Sequence, residues 1–169
     1  MAQLTRIGSL AESLVNGTAG ADSSSPEARL VVALRNLGVL KPGEELLVYS
    51  EKFGWERRSS EVYVAAADLT VSKAGRPYSR SFISKAVTRM NPQESVSMMM
   101  RRRGILLQEG IHVPELYSAE HGCINEEYIP FSLDEAVSNG AFHNALCAEV
   151  AHIAARIDIR GFRSRGFIG

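Results

Sequence analysis

Two runs rich in strand formers, residues 61–71 (EVYVAAADLTV) and 78–87 (YSRSFISKAV), flank the spacer Lys73-Ala74-Gly75-Arg76-Pro77. Glycine tolerates positive φ and proline fixes its neighbour's backbone, so the spacer has the chemistry of a hairpin loop. A third apolar run, residues 46–50 (LLVYS), comes just before. The segment 53–60, polar and holding the single glycine Gly54, reads as the loop between the first two strands. Three consecutive strands commit the chain to an antiparallel sheet. A sheet this small needs helices to cover it before it is stable.

The helices are legible on either side. Residues 5–16 carry Ile7, Leu10, Leu14 and Val15 at helical spacing, with Gly17 as a stop. Residues 17–25 (GTAGADSSS) read as a flexible linker. Ser25-Pro26-Glu27 then supplies an N-cap, a first-turn proline and an early acid. The helix it opens points Leu30, Val31, Leu34 and Leu37 inward and closes at Gly38. From 91 to 109 the spacing is helical again, with Val96, Met99, Met100 and Leu107 inward and Gly110 as C-cap. Short apolar segments follow around Leu116-Tyr117 and Cys123-Ile124, then a capping box at Ser132-Leu133-Asp134-Glu135 and an amphipathic stretch over 142–159. The order implies an α+β fold: an antiparallel sheet of about five strands with a packed helix, followed by a helical segment. It divides as residues 1–25 (helix and linker), 26–131 (sheet domain) and 132–169 (helical).

Composition removes several function classes. Lys plus Arg and Asp plus Glu each total 19, so no global field draws the chain to nucleic acid or anionic lipid. The arginines at 101–103 fan out around a helix, and 7% aromatic content gives little base-stacking surface. No apolar run approaches the ~20 residues of a membrane span. Cys123 and Cys147 lack ligand spacing and read as free thiols, and the four histidines have no metal-ligand pattern. A cytoplasmic location follows, with a secreted bacterial effector as the alternative that the small, polar N-terminal stretch raises.

The sheet-then-helix order resembles the N-terminal lobe of the protein-kinase-like fold, in its aminoglycoside-phosphotransferase branch. FISKAV at 82–87 resembles the third strand, which implies that Lys85 meets α and β phosphates. GIHVPELY at 110–117 is similar to that branch's turn between helix and fourth strand. INEEYIPF at 124–131 resembles the fifth strand and hinge, so Glu127, Tyr128 and Ile129 would present backbone groups to adenine. Gly54 is the glycine of the loop over the phosphates, Glu94 the candidate acid partner of Lys85, and ATP with Mg²⁺ the implied ligand. Each position has a plainer reading: an edge lysine in water, a first-turn acid favoured by the helix dipole, an ordinary connector.

The departures are equally concrete. Residues 52–60 hold no GxGxxG, and the helix position expected to pair with Lys85 falls near Arg101. No catalytic or metal-binding aspartate of the resembled family occurs through Gly169. The expectation is therefore a kinase-like nucleotide-binding domain, a fragment or degenerate relative of an ATP-dependent phosphotransferase, offering positioning without a base. The alternative is a non-catalytic protein-interaction domain that does not bind ATP.

Overall fold

The computed structural model describes residues 9–17, 25–59, 62–88, 91–120 and 122–130, with 148, 151–153 and 155. In chain order these form α1 (Leu10–Gly17), α2 (Pro26–Asn36), β1 (Glu44–Arg57), β2 (Val62–Lys73), β3 (Arg76–Val87), α3 (Pro92–Gln108), β4 (Leu116–Glu120) and β5 (Cys123–Glu127). All five strands join one antiparallel sheet in the order β1-β2-β3-β5-β4. The α+β class and the five-strand antiparallel sheet are as the sequence implies. The chain divides into two compact units, residues 1–100 with 114–128 and residues 101–113 with 129–169. The sheet lies wholly in the first. The expected helix over 142–159 and the capping box at Ser132 lie outside the described residues, a few positions between 148 and 155 excepted.

The hairpin is tighter than the sequence suggests. Lys73 pairs with Arg76, leaving only Ala74 and Gly75 in the turn, both at positive φ (51° and 76°). That two-residue geometry matches the right-handed twist of the flanking strands. Pro77 belongs to β3, opposite Ser72.

Alternation along β2 and β3 assigns the two faces. Ala65, Ala67, Leu69 and Val71 on β2, with Phe82 and Ala86 on β3, belong to the buried core that includes Leu10, Leu34, Val39, Leu40 and Trp55. This first face is the one α1 and α2 cover. Leu10 is fully buried in that core, so α1 and α2 share one interior despite the linker read between them. Ser25 caps α2 as expected: its side chain accepts from the Ala28 amide at 3.2 Å, and Pro26 takes the first turn. Gly38 follows the helix at φ 71°, where a Cβ would come within 3.1 Å of the Tyr117 carbonyl.

A buried ion pair pins the α2–β1 connection to β3. Glu44 accepts from Arg80 Nη2 at 2.7 Å, from the Lys41 amide at 2.8 Å and from the Tyr78 hydroxyl. Arg80 also donates to the Val39 carbonyl at 2.8 Å. Burial pushes the Glu44 carboxyl up, but the hydrogen bonds from Tyr78, Lys41 and Arg80 outweigh it and hold it below its ordinary value.

Two expectations need correction. The polar segment after residue 52 is mostly strand, because β1 runs to Arg57. Its register slips against β2 between Glu51 and Phe53 and again between Phe53 and Glu56. Such bulges let polar residues stay in a ladder while their side chains are re-aimed. In α3, Val96 is buried but Leu107 is 55% exposed. The helix ends as expected, with Gly110 at φ 68° and its amide on the Leu107 carbonyl.

Candidate functional site

The second face of the sheet carries Lys85, the residue on which the sequence reading turned. Strand partners share a face in an antiparallel ladder, so Lys85 lies with its partners Val64 and Ile124, and Ile83 with Ala66 and Glu126. Val64, Ala66 and Ile124 are buried, and none of them belongs to the core cluster of the first face. They form a second, smaller apolar floor.

Lys85 stands on this floor and is ion-paired, not loose in water. Its ammonium donates to Glu126 of β5, and the two side chains are 30% and 13% exposed. The acid that meets Lys85 is therefore Glu126, not Glu94. Glu94 sits in the first turn of α3, where its amide donates to the Asn91 side chain at 3.2 Å and its carboxylate accepts from the Asn91 amide group at 3.1 Å. That is a local cap, and it accounts for Glu94 fully.

A second lysine joins the face. Lys52 Nζ lies 2.9 Å from Asp68 Oδ2, on the β2 side opposite Ala67 and Leu69. Alternation from Ser50, the partner of Asp68, puts Lys52 on this face, and the bulge between Glu51 and Phe53 brings Phe53, whose partner is Ala66, onto it as well. Ser81 donates to the other Asp68 oxygen. Burial raises Asp68, while Ser81 and Lys52 lower it further, so the carboxyl stays below its ordinary value and charged at neutral pH. The Tyr128 ring reaches the same neighbourhood, 5.7 Å from Lys52 Nζ and edge-on to Phe53 at 6.1 Å. Lys52, Asp68, Phe53 and Tyr128 thus extend the site that Lys85 and Glu126 begin.

The remaining candidates fall elsewhere. Gly54 lies within β1, inside the register slip between Phe53 and Glu56, not in an open loop over phosphates. The Glu127 amide bonds the Glu115 carbonyl at 2.8 Å and the Tyr128 amide the Ser81 carbonyl at 3.1 Å, so neither donor faces a purine. The Glu127 carboxylate accepts from the Glu115 amide at 3.1 Å, on the α2-covered face. Ile129 follows the sheet and is 49% exposed. Cys123 is a free thiol whose pKa burial pushes up, which makes it unreactive. Among the described residues no group of three His, Cys, Asp or Glu could hold a metal ion, and no helix is long and apolar enough to cross a membrane.

The sequence offered no way to choose Glu126 over Glu94. Both are acids near Lys85 in a plausible topology, and only the register Ile83–Glu126 decides between them. Lys52 escaped notice because its partner Asp68 lies on another strand, and only the register Ser50–Asp68 sets the two side by side. No family model, curated protein or solved structure matches this chain.

Proposed function

We propose that the second face of the sheet binds a nucleotide, with its phosphates at Lys85 and Lys52 and its base toward Phe53 and Tyr128. The observation that carries this reading is the placement of two half-buried lysines on one sheet face, each held by an acid from a neighbouring strand, around an apolar floor. Held ammonium groups lose less freedom on meeting phosphate than free ones, and the aromatic edges suit a flat base. The element order along the chain, three strands, then α3, then two strands, is the one on which the likeness to kinase-like phosphotransferases was drawn from the sequence. On that likeness the ligand is ATP, and Mg²⁺ arrives on its phosphates, where it neutralises charge. The donor set fits such a group: cations for phosphate, apolar and aromatic surface for the base. Lys85 positions the phosphates, Glu126 orients Lys85, and Asp68 does the same for Lys52.

Thermal unfolding tests this. The buried Trp55, the one tryptophan, reports on the first unit. Saturating Mg-ATP raises the midpoint by an amount set by ligand over dissociation constant. Lys85→Ala abolishes the rise, Glu126→Gln reduces it, and Glu94→Gln leaves it unchanged. Absence of any rise in the parent at millimolar Mg-ATP refutes nucleotide binding and favours the interaction-domain alternative.

A further inference from the structure

β3 has 12 residues, but β5 pairs with only Phe82 to Ala86 of it. Toward its start the strand runs on beyond the end of β5, and the last link between the two chains is the Tyr128 amide on the Ser81 carbonyl. Alternation then fixes which way each backbone group points. Ser81 faces the β5 side, so Ser79 does too, while Tyr78 and Arg80 face β2. Among the described residues nothing bonds the Ser79 amide or carbonyl on that side. Pro77 has no amide to offer there, as befits an open edge. An interior stretch of the sheet therefore presents an unpaired ladder edge.

Across from that edge lies Glu115, just before β4. Strands separated by one other strand stand about 9.6 Å apart, and beyond Glu127 this width opens as a cavity of about 590 Å³. Ser79 and Ser81 line one side and Glu115 the other, with Tyr117 and Arg80 on the α2 side. The volume lies within the ~300–1,000 Å³ of ordinary ligand sites. Its shape is a slot one strand wide.

The lining is charge-balanced, with three acids and three bases. A small ion of either sign would meet as much repulsion as attraction. Two of the pairs close on themselves: Lys41 with Glu115 at 2.7 Å and Arg80 with Glu44 at 2.7 Å. The remaining two charges stand at opposite ends. Glu127 is at the β5 end, and Lys73 is at the hairpin end, with no acid paired to it among the described residues.

We infer that this slot takes an extended peptide segment of a partner protein, added as a strand against β3 with a basic residue at its N-terminal side and an acidic residue four positions later, so that both point to the face of Glu127 and Lys73. A segment running on in the direction of β5 lies antiparallel to β3 and enters at Glu127. Its basic residue meets Glu127, its backbone meets Ser79, and its acid meets Lys73. Backbone bonds supply affinity and the end charges supply direction. Ser81 and Tyr128 border both this slot and the nucleotide face, but Glu127 and Lys73 lie on the opposite face, so the slot takes its peptide whether or not nucleotide binds.

The probe is a fluorescein-labelled, end-capped pentapeptide Arg-Thr-Val-Thr-Glu, with the reversed order Glu-Thr-Val-Thr-Arg as its control of equal composition. Anisotropy should show saturable binding of the first and roughly fivefold weaker binding of the second. The double variant Lys73→Glu, Glu127→Lys should invert that preference, and hydrogen exchange at the Ser79 amide should slow when the first peptide is present. Lack of saturation by either peptide at millimolar concentration overturns the inference. So does equal binding of both orders, or an unchanged Ser79 exchange rate.

Discussion

Replacing Arg80 by Met should cost about 3 kcal/mol, and the loss should shrink in acid. The side chain of Glu44 is 1% exposed and that of Arg80 12%. Removing one partner of a buried pair leaves an uncompensated charge, at roughly 3–5 kcal/mol. Here the lower end applies, because the Tyr78 hydroxyl and the Lys41 amide still reach the Glu44 carboxylate. The pH sign follows from linkage. In the parent the Glu44 pKa is depressed below 4.5, so its contribution is present above that value and lost as pH falls through the folded-state pKa. In Arg80→Met, burial acts with less opposition, so protonating Glu44 removes the penalty and the gap to the parent narrows below pH 4.5. Urea unfolding followed by Trp55 fluorescence measures this, with the midpoint expected ~1–2 M lower at neutral pH. Glu44→Gln added to Arg80→Met should recover part of the loss, since no charge is then stranded. A loss below about 1 kcal/mol at pH 7, or one that stays constant into acid, would contradict the reasoning.

Two further substitutions test the backbone geometry. Gly122 has φ 82°, and a Cβ there would come within 2.6 Å of the Pro92 Cβ, so Gly122→Ala should destabilise by roughly 2 kcal/mol in the same urea assay. Gly104 lies inside α3 with open space where a Cβ would stand, so Gly104→Ala should add up to about 1 kcal/mol of helix stability, read as a gain in helical signal on heating.

What the sequence made legible, and what it hid, follows from the range of the interactions involved. The Ser25 cap, the Gly38 and Gly110 stops and the existence of a hairpin at residues 73–77, though not its two-residue turn, are local, decided by residues within four positions of one another. The strand-forming composition of the runs that become β2 and β3 likewise foretold a sheet. Partner choice is different in kind. Lys85 meets Glu126 across 41 positions, and Arg80 meets Glu44 across 36, through pairings that no single strand encodes. The bulge at Lys52 is subtler still, since one extra residue in β1 brings Phe53 onto the face that Lys52 already occupies, without altering composition or propensity.

The same long-range register explains why one strand can serve two sites. Odd-numbered residues of β3 send Ile83 and Lys85 to the apolar second face, while even-numbered residues send Arg80 and Phe82 to the helix-covered side. Because β5 pairs with only part of β3, the strand is interior at Lys85 and an edge at Ser79. A charged residue gains orientation at the first position, where a paired strand supplies Glu126. A backbone gains a free donor and acceptor at the second. Chemistry directed at side chains and chemistry directed at the main chain are thereby separated along a single β-strand, six residues apart.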